Sequence, residues 1–389
     1  MMVIDEILKY IAESIIQTHN KNNNGLLSGL TGETIFLLEY SKINPDYEKY
    51  VEDFIDEIND SIEKGIIYHS HCAGMPGIVS GLDYIYRGYY EEDYDAAFDF
   101  LSDDIEEYIS SQLDECLTTK NIDFLHGAIG IGFYYIKRFE NGNLSAKDKI
   151  TSILNYLEEN AIVEDSIVKW YMNHNSTGFN ISISHGISSI VIFLSKIISL
   201  QTTFGNDVPF LLEGAVNYIL SQEIDKNKYG SYFPYASIEE KEEFSRLAWC
   251  YGDLGIGLAL LNASEALKKE EWHKKALEIF DFSTTRKDPA ENIVLDAPIC
   301  HGSSGIALIF FIVYQQTKQK KYLDAAQYWE TKTLELMQKQ DPMINCFYDA
   351  KKGEFTSNLS LLEGLAGVGL VFLKMNSDNN AVWHEFLLV

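Results

Sequence analysis

The chain has 389 residues, of which 46% are hydrophobic and 23% charged, enough apolar material for a substantial core and too little charge density for disorder. A formal net charge of -27 excludes the basic surface that nucleic-acid binding requires and suits a cationic partner, such as a lysine-rich peptide, or simple solubility. Five widely spaced cysteines do not form a disulfide framework and indicate a reducing compartment.

The N-terminal "MMVIDEILKY" carries acids early and has no basic stretch leading into an apolar one, so it does not read as a signal peptide. From there a short pattern, Gly-x-x-Gly followed by an apolar run, recurs along the whole chain. Its copies are "SGLTGETIFLL" at Gly29, "AGMPGIVSGL" at Gly74, "HGAIGIGFYY" at Gly127, "HGISSIVIFL" at Gly186, "YGDLGIGLAL" at Gly252, "HGSSGIALIF" at Gly302 and "EGLAGVGLVF" at Gly364. In the Gly186 copy, Ser189 replaces the second glycine.

First glycines lie 45 to 66 residues apart, room for two helices and their connections. The runs after the glycines are apolar nearly all round and predict helices buried on every side. Stretches between them, such as "EEYISSQLDECL" and "EWHKKALEIFDF", place apolar residues at helical spacing with a charged face and predict half-exposed covers. The most apolar windows, "GIALIFFIVY" and "ISSIVIFLSKIISL", fall short of the roughly 18 to 20 residues that span a bilayer. Seven helical hairpins result, stacked as a solenoid or closed as a ring. No Pro-rich or Ser-rich linker interrupts them, so residues 1–389 read as one domain.

Polar candidates gather at the entrances of the apolar helices. Asp123 lies four before Gly127, His185 directly before Gly186, Cys250 two before Gly252, and Cys300 with His301 directly before Gly302. Helix N-termini favour thiolate over thiol. Two sulfurs and an imidazole from Cys250, Cys300 and His301 suit Zn(II) with a fourth position left open, although each alone reads as a core residue. His69, His71 and Cys72 in "HSHCAG" form a competing cluster or a polar loop.

His185 has the pKa range of an acid or base. Asp123 either orients it or caps a helix. Arg246 either steadies an oxyanion or forms a plain salt bridge. His126 and Glu363, each directly before a repeat glycine, receive no chemical task, and Cys116 with Cys346 read as packed thiols.

On "RLAWCYGDLGIG", "ICHGSSGIAL", "SISHGISS" and "DFLHGAIGIG", the chain resembles the lanthionine synthetase C family over essentially its whole length. The resemblance implies an all-α fold, an α/α toroid of seven inner and seven outer helices. It implies one Zn2+ held by Cys250, Cys300 and His301, acid–base work by His185, and support from Asp123 and Arg246. The activity implied is addition of peptide cysteine thiols to dehydroalanine or dehydrobutyrine, closing thioether rings in a dehydrated precursor peptide.

A stand-alone cytoplasmic cyclase is expected, since the chain is too short to carry a dehydratase domain as well. A dehydratase and a transporter are its expected partners, through which it would meet the membrane peripherally. Two departures from the family's pattern are Ser189, in place of a glycine, and His126, where a carboxylate is frequent. A zinc-dependent glutathione-binding protein and a non-catalytic peptide-binding scaffold remain as alternatives.

Overall fold

A computed structural model describes residues 2–65, 68, 70–90, 103–239, 243–377 and 380–389. His69 of the "HSHCAG" cluster therefore lies outside the described residues. Two compact units emerge, one of residues 1–107 with 294–387 and 389, the other of residues 108–293 with 388.

In the first unit, the glycine-led helices are α2 (Leu30–Ser41), α4 (Met75–Tyr89), α12 (Ser303–Thr317) and α14 (Leu365–Asn376). Their covers are α1 (Met2–Thr18), α3 (Glu48–Glu63) and α13 (Lys320–Gln338), joined by a hairpin of β3 (Phe347–Asp349) and β4 (Glu354–Thr356). In the second unit the glycine-led helices are α6 (Ala128–Glu140), α8 (Ile187–Ser199) and α10 (Asp253–Leu267). Here the covers are α5 (Asp103–Thr118, of which residues 108–118 belong to this unit), α7 (Ala146–Glu159), α9 (Val208–Ser221) and α11 (Glu270–Ser283), and the hairpin of β1 (Ile162–Glu164) and β2 (Ile167–Lys169) lies against α9. The described residues thus hold seven glycine-led helices and seven covers, as the repeat predicts.

The two kinds of helix differ as their patterning requires. Every residue of α2 is buried, whereas α3 buries only Val51, Phe54, Ile55 and Ile58. On α11, Trp272, Ala276, Ile279, Phe280 and Ser283 form one buried stripe. Each large apolar side chain so buried stabilises the fold by about 1.5–3 kcal/mol. The run of α8, "ISSIVIFLSKIIS", is rich in β-branched residues of modest helix propensity, so packing rather than local preference holds it helical. At Ser189, in the position of the missing glycine, the buried hydroxyl donates to the Gly186 carbonyl at 2.7 Å.

Within the second unit, α6, α8 and α10 are successive neighbours. Within the first, the order is α12, α14, α2, α4, so the last glycine-led helix of the chain lies beside the first. The Leu362 N–H donates to the Leu27 carbonyl at 2.9 Å across that junction. Where present, the second glycine permits the loop to fold tightly under its helix: a Cβ on Gly367 would stand 1.9 Å from the Leu361 carbonyl oxygen.

A recurrent loop places these helix entrances. Asn23, Asn121, Asn180 and Asn358 each stand six residues before a first glycine. Their carbonyls accept the first helical N–H, from Leu30, Ala128, Ile187 and Leu365, at 2.8–3.0 Å. Their side-chain oxygens accept the N–H two residues on, from Gly25, Asp123, Ser182 and Ser360, at 2.8–3.3 Å. This is the turn that asparagine side chains form with their own backbone.

The Gly252 loop departs from that plan, with Gly252 in the left-handed region at φ +89°. It is clamped instead by a buried ion pair. Arg286 donates to Asp253 at 3.0 Å, to Asn292 at 2.8 Å and to the Ser245 carbonyl at 2.6 Å, while Asp253 also accepts the Tyr232 and Phe233 N–H groups at 3.1 Å. Burial works against both charges, and these bonds offset it. Arg286→Met, which strands the Asp253 carboxylate, is expected to cost about 3–5 kcal/mol in denaturant unfolding.

Candidate active site

The residue directly before each first glycine stands at a helix entrance, and in the second unit these are His126, His185 and Tyr251. The His185 loop is tied to the Cys250 loop, because both the N–H and the hydroxyl of Ser184 bond the Cys250 carbonyl, at 3.4 and 3.0 Å. Ser182 Oγ takes the His185 N–H at 3.1 Å. His185 itself is half-buried, and its Nδ1 donates to Asp123 Oδ2 at 2.6 Å. Asp123 Oδ1 accepts the His126 N–H at 2.8 Å, so this carboxylate both stabilises its own loop and orients the imidazole.

With Nδ1–H given to Asp123, Nε2 is left for proton traffic. Burial opposes a charge on His185, but the Asp123 hydrogen bond and charge, with Cys250 nearby, outweigh it and raise the pKa above the ordinary value. Tyr251 adjoins His185, with ring centroids 6.2 Å apart, and stacks on Tyr235 at 4.2 Å. Sequence reasoning overlooked both tyrosines, although Tyr251 shares the pre-glycine position of His185. Arg246 is half-buried, and its guanidinium makes no ion pair among the described residues.

In the first unit, Cys300, His301 and Glu363 bring one ligand atom each to within 4.8 Å of one another. Cys300 is anchored by its N–H, which donates to the Leu362 carbonyl at 3.0 Å. His301 Nε2 lies 3.2 Å from Asp296 Oδ2, within ion-pair distance, and Asp296 is fully buried. An imidazole beside a buried carboxylate is the arrangement usual behind a metal-binding histidine.

Asp296 occupies the loop position that is asparagine in four other repeats. Two residues on stands Pro298, which has no N–H to bind, so the side chain serves His301 and the Tyr348 N–H (2.9 Å) instead. Its other oxygen, Oδ1, is buried without a hydrogen bond. Burial raises the Glu363 carboxyl above the ordinary range; His301 pulls it back, while Asp296 and Asp349 push it further. Sulfur, imidazole and carboxylate converging on this negative pocket fit a divalent metal. Asp296→Asn keeps the shape but removes the charge, and is expected to weaken metal binding about 10–100-fold in a chelator competition.

Glu363, which the sequence reading left structural, therefore belongs to the candidate metal group. Cys116 and Cys346 are buried, as packed thiols should be, and burial pushes them up to about 11 and about 12. In the "HSHCAG" loop, His71 Nε2 donates to the Phe386 carbonyl at 3.0 Å and so fastens the C-terminal segment. No helix among the described residues is long and apolar enough to cross a membrane.

Nisin biosynthesis protein NisC of Lactococcus lactis subsp. lactis is 23% identical to this chain over 400 residues, covering 94% of it and 88% of NisC. The solved structure titled nisin cyclase matches with a TM-score of 0.75 at 20% identity, covering 99% of this chain and 97% of the other. That likeness carries the fold, the all-α toroid that the resemblance implies. The profile of lanthionine synthetase C-like proteins matches residues 20–388, and the chain belongs to that family.

Proposed function

We propose that this protein is a zinc-dependent lanthionine synthetase, a cyclase that adds peptide cysteine thiols to dehydroalanine or dehydrobutyrine and closes thioether rings in a dehydrated precursor peptide. The observation that carries this reading is the His185–Asp123 pair at 2.6 Å in a chain whose relative is named for nisin biosynthesis. Cys250, Cys300 and His301 are the proposed zinc ligands. Zinc, when bound, keeps a peptide thiol ionised and nucleophilic near neutral pH.

The remaining chemistry falls to the chain's own residues. His185 Nε2 takes the thiol proton while Asp123 holds the resulting imidazolium. The sulfur lone pair forms the new bond to the β-carbon, and the alkene pair moves onto the α-carbon and its carbonyl. Arg246, a fixed cation, steadies the enolate oxygen. His185 then returns the proton to the α-carbon, so nothing leaves and the peptide mass is unchanged. The same proposal extends to one functional domain over residues 1–389, a cytoplasmic setting, and a complex with the dehydratase and the transporter.

Because mass does not change on cyclisation, the test counts free thiols. A dehydrated precursor peptide incubated with the protein, then alkylated and weighed, is expected to lose one adduct for each ring closed. Full alkylation, with glutathione or the peptide merely bound, would favour a thiol-binding protein or a scaffold.

A further inference from the structure

We propose that Tyr235, backed by Tyr251, determines specificity: its exposed ring receives an apolar side chain of the precursor peptide, within about three residues of the alkene that reacts at His185. The proposal rests on the cyclase reading above and adds which peptide sequences the protein favours.

Placement supplies the first argument. Tyr235 stacks on Tyr251 with ring centroids 4.2 Å apart and planes 6° from parallel, and Tyr251 in turn stands 6.2 Å from His185. Tyr251 is half-buried, whereas Tyr235 is 42% exposed. A ring covered on one face by a parallel neighbour offers its other face and its edge. An extended peptide advances about 3.3 Å per residue, so a strand reacting at His185 reaches Tyr235 roughly one to three residues from the alkene.

The ring is held firmly from behind. Asp253, which opens α10 after the Cys250 loop, accepts the Tyr232 and Phe233 N–H groups at 3.1 Å, so one buried carboxylate ties together the loops that carry the two tyrosines. The Ala236 carbonyl accepts the Ile181 N–H at 3.2 Å, and Ser237 Oγ donates to Gln222 Oε1 at 2.8 Å. Asn180 hydrogen-bonds the Tyr251 hydroxyl. A ring fixed in this way loses little freedom when a ligand covers it, which suits it to anchor a partner.

Chemistry selects the occupant. The proton passes between sulfur, His185 and the α-carbon, which leaves the Tyr235 ring no chemical step. Its open face carries no formal charge, so what it gains from a peptide is the burial of apolar surface.

The test follows ring closure in dehydrated precursor peptides by thiol alkylation. Leucine is exchanged for asparagine, a side chain of similar volume, one position at a time over three residues on each side of the reacting dehydroalanine. At one of these positions leucine is expected to lower KM about three- to tenfold with kcat unchanged, as partial cover of its side chain requires. Tyr235→Ser should erase that preference, and Tyr235→Phe, which keeps the ring, should retain it. Tyr171→Ser is the control, because Tyr171 is 47% exposed yet stacks on Phe179 instead, and the preference should survive there. A merely structural role would slow every peptide alike in Tyr235→Ser. That result, a wild type without preference at any position, a Tyr235→Phe variant that loses it, or an equal loss in Tyr171→Ser overturns the proposal and leaves the cyclase reading standing. Wild-type protein that closes no ring in any peptide overturns the cyclase reading and this proposal with it.

Discussion

Cys300→Ala is expected to abolish both metal retention and ring closure while leaving the fold intact. Cys300 is half-buried in a loop, and the bond from its N–H to the Leu362 carbonyl survives the change. What disappears is a thiolate beside His301 and Glu363. Changes behind a ligand already cost about 10–100-fold in metal affinity, so removal of a ligand itself should exceed about 100-fold. Elemental analysis of purified protein gives the metal content, and thiol alkylation of the peptide gives the activity. Full zinc occupancy in the variant would remove Cys300 from the site.

His185→Asn is expected to separate the two functions in the other direction. Metal content should stay at the wild-type level, because the imidazole of His185 is engaged by Asp123 at 2.6 Å. Ring formation should fall by about 10²–10⁴, the usual contribution of a positioned acid or base. Asparagine can still hydrogen-bond Asp123 but cannot carry a proton. Any rings that do form should have lost stereochemical control, since the α-carbon then takes its proton from solvent on either face. Chiral analysis of the hydrolysed lanthionine reads this directly, and a wild-type rate with one product epimer would refute the role.

Much of the architecture was legible because it is periodic. Gly29, Gly74, Gly127, Gly186, Gly252, Gly302 and Gly364 each lead a buried helix, and the apolar runs behind them carry a signal that one chain repeats seven times. His185 and Asp123 could be paired from sequence because both sit at helix entrances. Asp296 was not recognised, though a signal exists: an acid in the Asn23, Asn121, Asn180 and Asn358 position, followed two residues later by Pro298.

Glu363 was passed over because a lone glutamate before a glycine has no partner visible in sequence; only folding brings it to Cys300 and His301. Arg286 was invisible for a different reason. Its partner Asp253 lies a whole helix hairpin away, and no pattern marks either as buried.

The side-by-side placement of α14 and α2 has a bearing on how the chain matures as it is synthesised. Residues 108–293 are a nearly continuous stretch, so their unit has all its helices available while the polypeptide is still growing. Residues 1–107 are made before them yet must wait, with one flank of α2 uncovered, until Leu365–Asn376 leaves the ribosome. A segment made before residues 108–293 is thus completed only after them, and an apolar flank stays open in the interval.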